Sequence, residues 1–207
     1  MKKQAFYIVG PDWANYSGMF RAFDKSRMVE TAHLKEADIV CFTGGQDINP
    51  RLYNEQPHRS TYWSDKRDEY ELAAFNETSP EQLKVGICRG AQLLNVLNGG
   101  TLWQDVDRHT STHTATDVLT GKTHLVSSLH HQMMVPTKDA EIITVASEST
   151  RYSDENGDFS SILWDCLDIE ALWYGKTNSL LVQYHPEFSG YADCTKYFKE
   201  TLFRYLS

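Results

Sequence analysis

The sequence lacks the long apolar run that a membrane-spanning helix needs. No hydrophobic stretch among its 207 residues approaches the roughly 20 residues that cross a bilayer. The opening MKKQAFYIVG is too short for a signal peptide. We therefore expect no membrane partner and a cytoplasmic location.

Positive charge is scarce in this chain. The sequence has 20 Lys and Arg against 28 Asp and Glu, which gives a formal net charge of −8. Such a balance argues against the phosphate backbone of DNA or RNA as the main partner, so we expect no nucleic acid. With 41% apolar and 23% charged residues, the composition is that of a soluble globular protein. The length suits one domain, which we expect to span residues 1–207 around a single large core.

Cysteine is also scarce, and no CxxC pair occurs. The four cysteines stand far apart, at positions 41, 88, 166 and 194. This pattern predicts reduced thiols rather than a disulfide framework. Cys41 lies in the apolar run DIVCF and is expected to pack in the core. For Cys166 and Cys194 the sequence indicates nothing beyond packing or partial exposure.

Short apolar runs alternate with helix-like segments along the chain. Strands are predicted at Ala5–Val9, Ile39–Thr43, Val85–Cys88, Ile142–Val145 and Leu180–Tyr184. Helices are predicted over 64–78, Gly90–Leu97 and 192–206. The alternation predicts an α/β fold with a central, mostly parallel sheet flanked by helices.

Two further segments carry expectations about local structure. In the helix over 64–78 we expect Tyr70, Ala73, Ala74 and Phe75 to supply the buried face. The polar stretch STRYSDENGDFSS (149–161) contains Asn-Gly and predicts a hairpin or an exposed loop rather than a domain linker.

The stretch KVGICRGAQLLNVLNGG places Cys88 where a strand turns into a helix. Gly86 and Gly90 flank the cysteine at two residues on either side. Small residues there allow a sharp turn with the central side chain pointing outward, and the helix N-terminus favours a thiolate. The pattern indicates a nucleophile, with a core cysteine before an ordinary helix as the alternative.

A nucleophilic cysteine needs a base and a group that orients the base. In SLLVQYHPEF, His185 directly follows a buried-looking strand and Glu187 comes two residues later. Because the carboxyl ends of parallel strands meet at one crevice, we expect His185 to lie near Cys88. Taken alone, His185 is equally compatible with a histidine that caps a strand. Taken alone, Glu187 is equally compatible with a solvated carboxylate.

An oxyanion hole is expected at the end of another strand. In CFTGGQDINP, Gly44 and Gly45 follow the apolar run, and glycines allow backbone amides to turn towards a ligand. The backbone N–H groups of Gly45 and Arg89 are the expected pair of donors. A simple tight turn at Gly44–Gly45 is the alternative.

These motifs together resemble a known group of enzymes. The segments FTGGQDINPRLYNEQP, RDEYELAAF, GICRGAQLLNVLNGGTLWQDV, SLHHQ and QYHPE resemble the class I glutamine amidotransferase-like superfamily. Within it, the sequence is most similar to the γ-glutamyl-γ-aminobutyrate hydrolase and γ-glutamyl hydrolase family. The resemblance runs from about Ile39 to Glu187 in motif order and implies a flavodoxin-like fold.

The resemblance implies a role for each of several residues. It assigns a Cys–His–Glu triad to Cys88, His185 and Glu187, and the oxyanion hole to Gly45 and Arg89. It further implies that Gln92, His130 and His131 bind the substrate; for each of the two histidines a core position is the alternative. No cofactor is implied.

Some segments depart from the family pattern. Ser127 stands where the family usually has asparagine, the stretch before Ile39 is short, and the segment from Glu148 to Trp164 is long and polar. These departures lie on the side where the leaving amine would bind. They concern amine specificity and leave the triad unaffected.

Three functions follow from this interpretation. The first is a cysteine hydrolase that cleaves the γ-glutamyl amide bond of glutamine or a γ-glutamyl amine through a glutamyl-thioester intermediate. The second is a glutaminase that supplies ammonia to a synthetase partner in an ATP-dependent amidotransferase. The third is a non-catalytic binding protein on the same fold. The sequence does not determine the oligomeric state.

The segment HTSTHTATD places His109 and His113 four residues apart, a spacing that could bind a metal on a helix. The Thr- and Ser-rich composition disfavours the helix that would put both imidazoles on one face. We therefore predict no metal site.

Overall fold

The architecture is described by a computed structural model covering residues 3–24, 27–146, 150–153, 159–161, 167–188 and 190–206. The strands in these ranges are β1 (Gln4–Val9), β2 (Met28–Glu30), β3 (Ile39–Phe42), β4 (Leu83–Ile87), β5 (Thr101–Trp103), β6 (His113–Asp117), β7 (Thr123–Val126), β8 (Met133–Val135), β9 (Glu141–Ala146), β10 (Arg151–Ser153), β11 (Phe159–Ser161), β12 (Ile169–Tyr174) and β13 (Ser179–Val182). The helices are α1 (Tyr16–Phe23), α2 (Asp65–Glu77), α3 (Arg89–Leu97) and α4 (Ala192–Tyr205).

Nine of these strands form one sheet in the order β2-β1-β3-β4-β13-β12-β9-β6-β7. The pairs from β2 to β13 are parallel, and the pairs from β13 to β7 are antiparallel. The predicted α/β class is confirmed, and the parallel part contains the strands that carry the motifs. Of the antiparallel strands β12, β9, β6 and β7, only β9 was predicted from the sequence.

Both faces of the parallel strands are covered by apolar side chains. Successive residues of β3 enter opposite layers: Ile39 and Cys41 join the layer under α1 and α4, while Val40 and Phe42 join the layer under α3. This explains why these strands are continuously apolar rather than alternating. Helix α3 ends as predicted before two glycines, and Gly99 adopts φ +87°, the left-handed conformation that terminates a helix.

The expected buried face of α2 was partly wrong. Ala74 is buried and Phe75 packs at the edge of the core, but Tyr70 is 51% exposed and Ala73 is exposed as well. The side chains that α2 buries completely or nearly so include the charged residues Asp68 and Glu71. They bind arginine side chains at the candidate site, and this pairing overrides the apolar pattern.

Several elements were not identified as regular structure from the sequence. They include helix α1, the short strands β2 and β5 to β8, and strand β12, although β12 contains the strand-like sequence IEALWY. Within 149–161, β10 and β11 pair in antiparallel register, which confirms the hairpin. Its Asn-Gly pair and Cys166 lie outside the described residues.

None of the helices in the described ranges is long and apolar enough to cross a membrane.

The aromatic cluster between α1, α4 and β1 provides a test of the packing. Phe198 is fully buried and contacts Phe20 and Phe23 with ring centroids 6.3 and 5.8 Å away. We expect Phe198→Ala to lower the free energy of unfolding by about 3–5 kcal/mol, because it leaves a cavity. Phe203→Ala on the exposed side of α4 should change it by only about 0.5 kcal/mol. Urea denaturation of both variants measures this difference, and equal losses would contradict the assignment of the two faces.

Candidate active site

Four loops meet at one edge of the parallel sheet. Strands β1, β3, β4 and β13 are mutually parallel, so the residues that follow them share the same edge. Gly10, Thr43, Cys88 and His185 occupy the ends of these strands or the first turns after them. The order of strands therefore brings the predicted nucleophile, base and Gly-Gly turn to one place.

Cys88 has a strained backbone conformation at the junction of β4 and α3. Its φ of 52° and ψ of −110° are rarely adopted by a residue with a side chain. A methyl group on Gly86 would lie 2.6 Å from the backbone nitrogen of Ala91, and one on Gly90 would overlap the backbone carbonyl of Phe42. Both glycines are needed because the strand and helix backbones approach so closely.

The sulfur of Cys88 is less exposed than a nucleophile on the lip of an open cleft would be. The residue is only 5% exposed and contacts the apolar layer under α1 and α4. The expectation that this side chain points outward into an open cleft is therefore wrong. The strained turn instead places Cys88, buried, in the neighbourhood of His185 and Gly44.

His185 and Glu187 form a buried pair. Nδ1 of His185 lies 2.7 Å from Oε1 of Glu187, while Nε2 is buried and has no hydrogen-bond partner among the described residues. Burial lowers the pKa of His185, but interactions with the Cys88 sulfur and with Glu187 outweigh it and raise the pKa to about 10. The imidazole is therefore held in its protonated form at neutral pH, next to the sulfur.

The backbone of His185 is fixed by Ser127. The Ser127 hydroxyl donates to the carbonyl of His185 at 2.6 Å, and the N–H of His185 donates back to the Ser127 side chain at 3.2 Å. From the sequence, Ser127 was notable only as a departure from the family pattern. Its hydroxyl ties the loop before β8 to the residue that carries the imidazole.

Gly44 lies beside both Cys88 and His185. A methyl group at its Cα would stand 3.4 Å from Cε1 of His185 and 3.6 Å from Cβ of Cys88. The N–H of Gly44 donates to the hydroxyl of Tyr16 at 3.0 Å. Burial and the charge of Glu187 raise the pKa of Tyr16, so its hydroxyl stays neutral beside that carboxylate.

The following peptide is oriented by Arg67. Its Nη2 donates to the carbonyls of Thr43 at 3.1 Å and Gly44 at 2.9 Å, and its guanidinium fills the space where a side chain on Gly45 would stand. In a trans peptide the C=O and N–H groups point in opposite directions. The N–H of Gly45 therefore points away from Arg67.

The side chain of Arg89 links the elbow, which is the strand-to-helix turn at Cys88, to α2. Arg89 is 1% exposed and forms ion pairs with Asp68 and Glu71. Glu71 also accepts a hydrogen bond from Nε of Arg67 at 2.8 Å. Arg89 is the first residue of α3, a position whose backbone N–H has no acceptor within its own helix.

The residues expected to bind substrate divide into two groups. Gln92 is buried, and its amide donates to the carbonyl of Gln132 at 3.2 Å and to the side chain of Gln183 at 3.4 Å. His130 is also buried, in a cluster of histidines and carboxylates beside the site. The side chain of His131, by contrast, is 37% exposed and lies 3.0 Å from Asp47. Of the three predicted residues, His131 alone has a surface open to a ligand in this structure.

The positioning residues Tyr16, Arg67 and Ser127 were not predicted from the sequence. Arg67 and its partners were present in the motif RDEYE, where Arg67 and Glu71 stand at i, i+4 spacing on one side of a helix. The burial of Glu71 depends on Arg89, which lies 18 residues further along the chain. No local signal indicates that pairing.

The position of the His185 imidazole beside the Cys88 sulfur predicts selective alkylation. At pH 7 we expect iodoacetamide to modify Cys88 faster than Cys41 or Cys194, because burial raises the pKa of both of those thiols. His185→Gln should slow the modification of Cys88 at least about tenfold, since the positive charge beside the sulfur is lost. His33→Gln, an exposed histidine, is the matched control. Peptide mass spectrometry measures each rate, and equal reactivity of the three cysteines would contradict the arrangement.

The buried ion pairs of Arg89 predict a loss of stability on neutralising one partner. Glu71→Gln should lower the free energy of unfolding by about 3–5 kcal/mol, because two guanidinium groups lose their shared carboxylate. Glu69→Gln, on the exposed side of the same helix, should change it by about 0.5 kcal/mol or less. Denaturant titration followed by circular dichroism measures the free energy of unfolding of both variants. An unchanged free energy of unfolding for Glu71→Gln would disprove the structural role.

Comparison with known proteins identifies the family of this chain. Residues 19–187 match the Peptidase C26 family. A glutamine amidotransferase-like protein, the YvdE homolog of Lactococcus lactis subsp. cremoris, is 34% identical over 133 residues, which cover 54% of this chain and 70% of that protein.

Solved structures share the fold. A glutamine amidotransferase from Thermotoga maritima superposes with a TM-score of 0.63 at 14% identity, covering 100% of this chain and 84% of that chain. A Thermoplasma acidophilum protein described as a GMP synthase subunit gives 0.64 at 13% identity, with 100% and 93% covered. The chain belongs to the Peptidase C26 family, within the class I glutamine amidotransferase-like superfamily of cysteine hydrolases.

Proposed function

We propose that this protein hydrolyses the γ-glutamyl amide bond of glutamine or a γ-glutamyl amine, with Cys88, His185 and Glu187 as its catalytic triad. The observation that carries the proposal is the position of Gly44, which lies next to both the strained Cys88 and the imidazole held by Glu187. A cysteine at a strand-to-helix elbow, with a carboxylate-oriented histidine beside it, is an arrangement suited to acyl transfer.

The first half of the reaction forms a thioester. The Cys88 thiolate attacks the carbonyl carbon of the γ-amide, and the carbonyl electron pair moves onto oxygen. The backbone N–H groups of Gly45 and Arg89 stabilise this oxyanion, each donor contributing about 3–4 kcal/mol to lowering the barrier. The intermediate collapses as the C–N bond breaks, and His185 gives the proton from Nε2 to the departing amine or ammonia.

The second half releases glutamate. Neutral His185 takes a proton from water through Nε2, and the hydroxide attacks the thioester carbon. Collapse of this second intermediate breaks the C–S bond and restores the thiolate. Glu187 keeps the imidazole in place through Nδ1 and stabilises its positive charge in both halves.

Arg67 and Tyr16 are positioning residues in this proposal. They hold the two peptides on either side of Gly44, whose neighbour Gly45 supplies an oxyanion donor. Rigid hydrogen-bond donors stabilise an oxyanion more than mobile ones do, because they need no reorganisation as the negative charge develops.

The second candidate is a glutaminase that feeds ammonia to a synthetase partner. The fold similarity to a protein described as a GMP synthase subunit favours it. The chemistry at Cys88 would be the same, but free glutamine would be the substrate and a partner protein would raise the rate. The substrate preference of the isolated chain distinguishes the two.

The proposed function predicts the outcome of a product assay. Glutamine, γ-glutamyl-γ-aminobutyrate and further γ-glutamyl amines should be tested for glutamate release. Cys88→Ala should lower kcat by at least about 10³-fold on every substrate cleaved, with the folded structure retained by circular dichroism. Cys41→Ala, which removes a buried thiol elsewhere, is the matched control.

Three results of that assay would decide between the candidates. Full activity of Cys88→Ala would exclude the triad. Glutamate release from none of these amides, with Cys88 reactive to iodoacetamide, would exclude the substrate class. High activity on γ-glutamyl amines without a partner would exclude the synthetase-dependent role.

A further inference from the structure

A second group of titratable side chains lies buried beside the candidate active site. It comprises His109, His113, His130, Asp168 and Glu170, hereafter the histidine cluster, and each of these residues is at most 6% exposed. The rings of His109 and His130 stack with centroids 4.6 Å apart. The proposed reaction uses none of these side chains, so their burial needs its own explanation.

In each of the two stacked imidazoles, one ring nitrogen donates a hydrogen bond to an acceptor outside the cluster. Nδ1 of His130 lies 2.9 Å from the carbonyl of Gln132 and donates to it. Nε2 of His109 lies 2.6 Å from the hydroxyl of Thr150, which itself donates to Asp168. Because that hydroxyl proton is directed to Asp168, the hydroxyl oxygen accepts from His109. Such partners fix the tautomer and orientation of histidines that bind metals.

The other ring nitrogen of each stacked imidazole, and one carboxylate oxygen of Glu170, have no hydrogen-bond partner within the described part of the chain. Nδ1 of His109, Nε2 of His130 and Oε2 of Glu170 are buried and have no hydrogen-bond partner among the described residues. Nδ1 of His113 is unpaired in the same way. Buried polar atoms are nearly always paired, so several unpaired atoms within one buried cluster indicate a missing ligand. Two imidazole nitrogens and a carboxylate are the donors that Zn²⁺ prefers.

The spacing of these atoms suits one cation. Oε1 of Glu170 is 3.5 Å from Nδ1 of His109 and 3.9 Å from Nε2 of His130. One donor atom from each of the three residues lies within 4.8 Å of the others. Tetrahedral ligands at zinc distances stand about 3.4 Å apart, so the donor atoms would approach one another by at most about 1.4 Å on binding. His113, 2.9 Å from Oε1 of Glu170, would hold that carboxylate in place.

The charges of the cluster also favour a cation. Among the described residues neither Asp168 nor Glu170 pairs with a lysine or arginine. A divalent cation bound among these side chains would neutralise both carboxylates.

We propose that His109, His130 and Glu170 bind one divalent cation of the zinc class. The sequence predicted no metal because HTSTHTATD does not favour a helix. In the structure that premise is irrelevant, since His109 precedes β6, His130 precedes β8 and Glu170 lies on β12. The cation would join these three segments and thereby stabilise the loop from Ser127 to Gln132, which anchors His185 through Ser127.

Direct binding measurements test this proposal. The full chain carrying Cys88→Ala should be used, so that the proposed catalytic thiol cannot bind the metal. After removal of metals with EDTA, isothermal titration with Zn²⁺ should show one site per chain. Elemental analysis of the reloaded, desalted protein should give one zinc per chain, and the midpoint of thermal unfolding should rise with zinc concentration.

Variants locate the site. Glu170→Gln and His130→Gln, each in the Cys88→Ala background, should weaken zinc binding at least about 100-fold, because each removes a ligand. His33→Gln removes an exposed histidine and should leave the affinity unchanged. Absence of stoichiometric binding by the Cys88→Ala chain at micromolar free zinc would overturn the proposal. Binding unaffected by both ligand variants would overturn it as well, and neither result depends on enzymatic activity.

Discussion

The buried guanidinium of Arg89 is the constraint on which the geometry of the site depends. Its ion pairs with Asp68 and Glu71 join the start of α3 to the middle of α2. Through Glu71 the same contacts extend to Arg67 and hence to the carbonyls of Thr43 and Gly44. One network of charges therefore sets the distance between the elbow of Cys88 and the glycine turn that follows β3.

This network also explains why burial of so much charge is tolerated. A carboxylate taken out of water without a partner would cost several kcal/mol, whereas here every guanidinium and carboxylate has an opposite charge in contact. Replacement by apolar residues could preserve the packing. It would not preserve the direction of the donors that fix the carbonyls of Thr43 and Gly44, which is where the geometry matters for chemistry.

The parts of the fold that could be predicted from the sequence are those with strong local signals. The apolar runs identified β1, β3, β4, β9 and β13 to within about two residues, and the glycines around Cys88 identified the elbow. The contacts of Arg67, Ser127 and Tyr16 could not be predicted, because each depends on a partner remote in sequence. The buried face of α2 was misjudged for the same reason: propensity favours Tyr70 inside, and a tertiary ion pair places Glu71 there instead.

The change from parallel to antiparallel pairing at β13 divides the sheet into halves with different freedom to vary. Parallel neighbours require crossover connections, so the segments between β1 and β4 are constrained by the helices that they contain. Antiparallel neighbours require only turns, and β12, β9, β6 and β7 can accept longer excursions between them. The long polar stretch before β12 is such an excursion. Related chains can therefore diverge in that half, and acquire new recognition loops there, without displacing the residues around Cys88.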